Sequence, residues 1–176
     1  ILLYAFAFSG CAGMQIAAIE KNLAEDKIKN EQTVLAVGQR TFEVSKKKLM
    51  KAFINAFSSK NLAVINMDKE LGFMLAEGGE FIDSAKIKQL GEERVARLNK
   101  STFPGAFIYL AGNYTLRITV NLFVKGENRT LAKVGFTSVT QSTAPNKYDG
   151  IPSEFLPVYY EEIWAEIEKA IFMQRE

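Results

Sequence analysis

From Tyr114 to Lys125 the chain alternates apolar and polar residues. Tyr114, Leu116, Ile118, Val120, Leu122 and Val124 fall on one side, and Thr115, Arg117, Thr119, Asn121 and Lys125 on the other. Phe123 is the one apolar residue on the polar side. Side chains on a strand point to opposite faces in turn, so this stretch predicts a long strand with one face buried. Gly126-Glu-Asn-Arg129 closes a hairpin, and Leu131–Gln141 is its partner. Shorter alternations over Gln39–Val44, Leu62–Asn66 and Phe73–Glu77 predict three further strands. Met67–Gly72 is the turn between the last two, with Gly72 free to take a positive φ.

The other apolar residues follow a helical period. Ser45 is placed to cap a helix from Lys46 to about Lys60, its side chain accepting from an orphan N–H of the first turn. Leu49, Phe53, Ile54 and Phe57 share one face of that helix, and Asn61 is the expected stop. At the other end of the chain, Leu156, Tyr160, Ile163, Ile167, Ala170 and Ile171 form a stripe that must be buried. Pro157 fits that helix only in its first turn, where a missing N–H costs little. Between the strand pairs, Ser84–Asn99 is an exposed or half-exposed helix bearing Ile87, Leu90 and Leu98, with Gly91 inside it.

Hairpin-linked strands make an antiparallel sheet, and two striped helices have one face each to bury. The expected fold is therefore α+β, a two-layer sandwich: a sheet of about four to five strands covered on one face by two helices, with residues 79–112 as an inserted helical segment. Residues 39–176 form this single domain.

The first eleven residues are different in kind. Ile1–Phe8 is uncharged and apolar, without helical or strand periodicity, and runs through Ser9-Gly10 into Cys11, the sole cysteine. The run is shorter than the 20 or so apolar residues that span a bilayer. Phe8-Ser9-Gly10-Cys11 resembles the bacterial lipobox, in which small residues precede a cysteine that is lipidated and becomes the new N-terminus. Here Phe8 stands where an aliphatic residue is usual. The resemblance implies that residues 1–10 are the end of a lipoprotein signal, that Cys11 is the lipidation site, and that the partner is a membrane, held through the anchor. Ala12 in place of Asp implies the outer membrane, facing the periplasm. Residues 11–38 are polar and Ala-rich and are expected to be a tether, in part helical through Ile16, Ile19 and Leu23; the alternative is a first helix packed on the domain.

Two further stretches carry a family resemblance. Arg40–Phe57 with Leu62–Met74, and the ending Tyr159-Tyr160 … Ile167–Phe172, are similar to bacterial lipoprotein domains of the helix-grip type found in lipoprotein C of the outer-membrane assembly machinery. These are packing motifs, so the resemblance implies a fold and a place in the cell envelope, and carries no catalytic residue with it.

Composition narrows the chemistry. The chain has no histidine, which removes the usual base near neutral pH and the commonest metal ligand. A formal charge of +2 without a Lys/Arg stripe gives no case for nucleic acid. Asp68, Glu70 and Asp83 lack calcium-loop spacing, and no serine has a basic partner, so no metal, no cofactor and no enzymatic activity are expected. The three sequons at Asn99, Asn113 and Asn128 carry no weight behind a bacterial lipobox. Glu161, Glu162, Glu166 and Glu168 are expected on the solvated face of the last helix. Lys46, Lys47, Lys48 and Lys51 crowd a helix start, where the macrodipole disfavours cations; they form a solvated face or a patch for an anionic partner. Phe103, Phe107 and Tyr109, with Tyr160 and Ile163, either extend the core or line a cavity for a lipid or other hydrophobic ligand. The expected function is a non-catalytic interaction or scaffold module with an envelope protein partner; the alternative is a periplasmic carrier of a hydrophobic ligand.

Overall fold

The structure is a computed structural model and describes residues 21–22, 24–79, 81–99, 114–140 and 151–174. The elements run β1 (Gln39–Phe42), α2 (Lys46–Ser59), β2 (Ala63–Asp68), β3 (Phe73–Gly78), α3 (Ser84–Asn99), β4 (Tyr114–Gly126), β5 (Arg129–Thr140) and α4 (Leu156–Met173). They follow a first helix, α1, over residues 24–37, with 21–22 also helical. The five strands form one sheet in the order β1-β5-β4-β3-β2, antiparallel at every step. Since β1 and β2 lie at opposite edges, α2 crosses the whole sheet between them.

The register explains the core. Ile118 pairs with Ala76 and Phe136, Val120 with Met74 and Val134, and Leu122 with Ala132. On this face all but Phe136 are buried, under α2 and α4. Leu49, Phe53 and Phe57 of α2 meet Tyr160, Ile163, Trp164 and Ile167 of α4, and the Phe53 and Trp164 rings are 6.4 Å apart edge to face. No helix among the described residues covers the opposite face, which holds the Arg117–Glu77 ion pair and Lys133 over the Phe123 ring. The molecule is thus the expected two-layer α+β sandwich.

Local chemistry sets the element ends. Ser45 Oγ accepts from the Lys48 N–H at 3.4 Å. Asn61 ends α2 at φ 55, and Gly72 takes φ 76 in the β2–β3 turn. A side chain at Gly72 would meet the Leu122 oxygen at 2.6 Å, so glycine is needed for the close approach as well as for the angle. Pro157 lies in the first turn of α4.

Three details differ from the sequence pattern. In α2 the buried set is Leu49, Met50, Ala52, Phe53, Ala56 and Phe57, with Ile54 only half-buried, because α4 and the sheet together close on a wider stripe. Val124, in step with the buried face of β4, is 59% exposed because the hairpin outruns the helices, and the register breaks between Val124 and Gly126. On β2 the register shifts between Val64 and Asn66, which leaves Ile65 exposed on an edge strand. Such a bulge blunts a sheet edge against pairing with another chain.

Within the stretch expected as a tether over 11–38, residues 24–37 are helical and contact the domain. Asp26 is buried, the Asn30 amide donates to the Ile151 oxygen at 2.6 Å, and the Trp164 indole donates to the Val37 oxygen at 2.8 Å. Asp26 also accepts from Ser153, so these contacts tie α1 to the segment just before α4 and, through Trp164, to α4 itself. Cys11 and residues 1–20 lie outside the described residues.

Candidate functional site

Tyr160 and Ile163 are both fully buried. The Tyr160 hydroxyl donates to the Val134 oxygen at 2.8 Å, and its ring meets Phe136 edge to face at 5.0 Å. Burial in this apolar shell pushes the phenol pKa from 10.0 up to about 12. Both residues sit inside the packed layer between α4 and the sheet. Phe103, Phe107 and Tyr109, which were expected either to extend the core or to line a cavity with them, lie outside the described residues.

The lysine cluster divides. Lys46 is half-buried and donates to the Glu70 oxygen at 2.7 Å, tying the start of α2 to the β2–β3 turn. Lys48 is half-buried as well, while Lys47 and Lys51 are exposed. The cluster is therefore part bracket and part solvated surface. Asp68 and Asp83 serve their own backbones. Asp68 accepts from the N–H groups of Glu70 and Leu71 at 2.9 and 2.8 Å, and Asp83 accepts from that of Ala85 at 2.8 Å to cap α3. Among the described residues no cluster of acidic, Cys or His side chains could hold a metal ion.

A groove of about 530 Å³ opens between the end of α2, residues 81–86 and the first turns of α4. Its walls include Lys60, Phe81, Asp83, Lys86, Glu161 and Glu162. Lys60 pairs with Glu162 and lies 3.6 Å from Glu166, and its ammonium sits 5.9 Å from the centre of the Phe81 ring. Burial alone would lower its pKa, but the hydrogen bond and charge of Glu162, then those of Glu166, outweigh it and hold Lys60 above its ordinary 10.5. Lys60 thus stays protonated at neutral pH and acts as a fixed cation rather than a nucleophilic amine. Glu162 and Glu166, expected on a solvated face, are half-buried because this lysine reaches them from α2. Glu168 pairs with Arg40 at the β1 edge, and Glu161 stays exposed.

A second polar cluster has no counterpart in the expectations. Arg94 of α3 binds Asp26 of α1 at 2.9 Å and Glu154, just before α4, at 3.0 Å. The Ser153 hydroxyl donates to Asp26 at 2.8 Å. The Asp26 and Arg94 side chains are only 1% and 10% exposed, so this is an ion triad withdrawn from water. It ties together α1, the inserted helix and the entry to α4. Its signal lay in α3, where Arg94 follows Ile87, Leu90 and Gly91 on the buried stripe.

No helix among the described residues is long and apolar enough to cross a membrane. No family model matches the chain, and no curated protein matches it. Among solved structures it is similar to a DUF4468 family protein from Bacteroides ovatus, a bacterial neighbour. That likeness covers 76% of this chain and 84% of the other at 10% identity, with a TM-score of 0.39. At that score the likeness carries no argument about function.

Proposed function

We propose that the chain is a bacterial envelope lipoprotein, anchored to the outer membrane through Cys11, whose folded domain is a non-catalytic scaffold facing the periplasm. The anchor rests on the Phe8–Cys11 motif, and the place in the envelope on the resemblance to helix-grip lipoprotein domains. The observation that carries the scaffold over the carrier is the packing of Tyr160 and Ile163. Both are 0% exposed, and the Tyr160 hydroxyl is spent on the β5 backbone, in the layer where a carrier would keep room for its ligand. The Lys60–Glu162–Glu166 set and the Arg94 triad have mechanical roles in this view: each fastens one helix to another.

Two measurements test the proposal. A lipid anchor buries dozens of methylenes at about 0.8 kcal/mol each, so the protein should stay with membranes. Cys11→Ala, expressed with a complete signal, should abolish palmitate labelling and release the domain; unchanged labelling and fractionation would remove the anchor. Native mass spectrometry of protein purified without detergent should show the bare chain mass. A retained lipid, lost in Phe107→Ala, would replace the scaffold with a carrier.

A further inference from the structure

α1 is built inside out. Helices in folded proteins gain most of their stability by packing an apolar stripe inward. The inward side of α1 is instead polar: Asp26 is buried in the ion triad, Asn30 binds the Ile151 oxygen, and the attachment ends at the Val37 carbonyl. Its aliphatic side chains face water, with Ile28 55% and Leu35 79% exposed. Among the described residues of α1, none of the apolar ones joins the hydrophobic core.

Most of α1 is exposed, Val34 and Val37 included, and one ridge among the exposed positions is ordered. Lys21, Ala24, Ile28, Glu31 and Leu35 recur at spacings of three and four, the seam of a helix that packs on another helix. We propose that this ridge is a self-association surface on which two copies of the chain pack their α1 helices antiparallel about a twofold axis.

Charge and size select that occupant. With the axis level with residue 26, Lys21 of each copy faces Glu31 of the other, and Ala24 faces Ile28, small against large. The pattern is self-complementary, as a twofold interface requires. A parallel pairing would set Lys21 against Lys21 and Glu31 against Glu31, which is repulsive. An anionic membrane surface fits less well, because Glu31 stands in the ridge itself and would meet the headgroups. The proposal does not depend on a lipid at Cys11.

Sedimentation equilibrium of the full chain tests it, under reducing conditions so that a Cys11 disulfide cannot link two copies. Wild type should show a reversible monomer–dimer equilibrium, and Ile28→Asp should be monomeric, with a melting curve that matches wild type measured at concentrations where wild type is itself monomeric. Lys21→Glu and Glu31→Lys should each weaken the dimer about tenfold or more, and the double reversal should restore it, because the pair is re-formed with its signs exchanged. Wild type that stays monomeric at the highest attainable concentration would overturn the proposal, as would a double reversal no tighter than the single ones. So would a monomer that co-sediments with phosphatidylglycerol vesicles through Ile28, since the ridge would then be a membrane contact.

Discussion

The Tyr160 hydroxyl donates to the main-chain oxygen of Val134 across 2.8 Å, fixing the first half of α4 to β5 from inside the core. Val134 is buried, so its oxygen has no water to turn to. Tyr160→Phe keeps the ring contacts with Phe136 and Trp164 and removes only the donor. Leaving that acceptor unpaired should cost about 1–3 kcal/mol in urea melts at neutral pH. A neutral result would mean that the hydroxyl contributes nothing to holding the helix.

The same phenol sets an alkaline limit. Its folded pKa is raised to about 12 from 10.0 by burial, so the neutral form belongs to the folded state. The stability it carries is complete below pH 10 and is lost as pH rises toward 12. Lys60 acts in the same direction above 10.5, where losing its proton breaks the link to Glu162 and Glu166. Unfolding free energy should therefore fall through this window, with a shallower fall in Tyr160→Phe. Tyrosinate absorbance followed on the folded protein should show a late-titrating component that Tyr160→Phe removes.

Ile118 and Thr119 are neighbours on β4 that point to opposite faces, Ile118 fully buried and Thr119 half-buried with a 3.3 Å contact to the Gly135 oxygen. Ile118→Ala should cost about 2–5 kcal/mol, and Thr119→Ala under about 1 kcal/mol. Equal costs would mean that the second face of the sheet is covered too.

The sheet was legible because period-two alternation is enforced by geometry: a residue on β4 cannot change face without moving the whole strand. Gly72 and Asn61 were legible because few residues tolerate positive φ. What stayed hidden was set by tertiary partners. Val124 keeps the strand pattern, and only the reach of the helices decides that it is exposed. The carboxylates of Glu162 and Glu166 look solvated until Lys60 arrives from another helix. α1 defeats pattern reading most fully. Periodicity assumes that polar residues face out, whereas Asp26 faces in toward an arginine that lies far along the chain.

That arginine supplies the last prediction. Arg94 holds Asp26 and Glu154 in a site where Asp26 is 1% exposed, so its removal takes a close counter-charge away from a buried carboxylate. Arg94→Met should cost about 3–5 kcal/mol, because the penalty is that of stranding a buried charge rather than the net worth of the pair. Arg117 gives the contrast. It also pairs with a glutamate, Glu77, but on the open face with its side chain 45% exposed, so Arg117→Met should cost about 0–1 kcal/mol. Replacing the whole triad at once, Asp26 and Glu154 by Leu and Arg94 by Met, should recover much of the loss, since apolar groups of similar size fill a buried ion site without desolvation. Urea unfolding of the four proteins in low and high salt measures this directly. The Arg117 effect should fade with salt while the Arg94 effect persists, as screening reaches only the exposed pair. If Arg94→Met cost no more than Arg117→Met, the triad would not be what holds α1 and the inserted helix to the body.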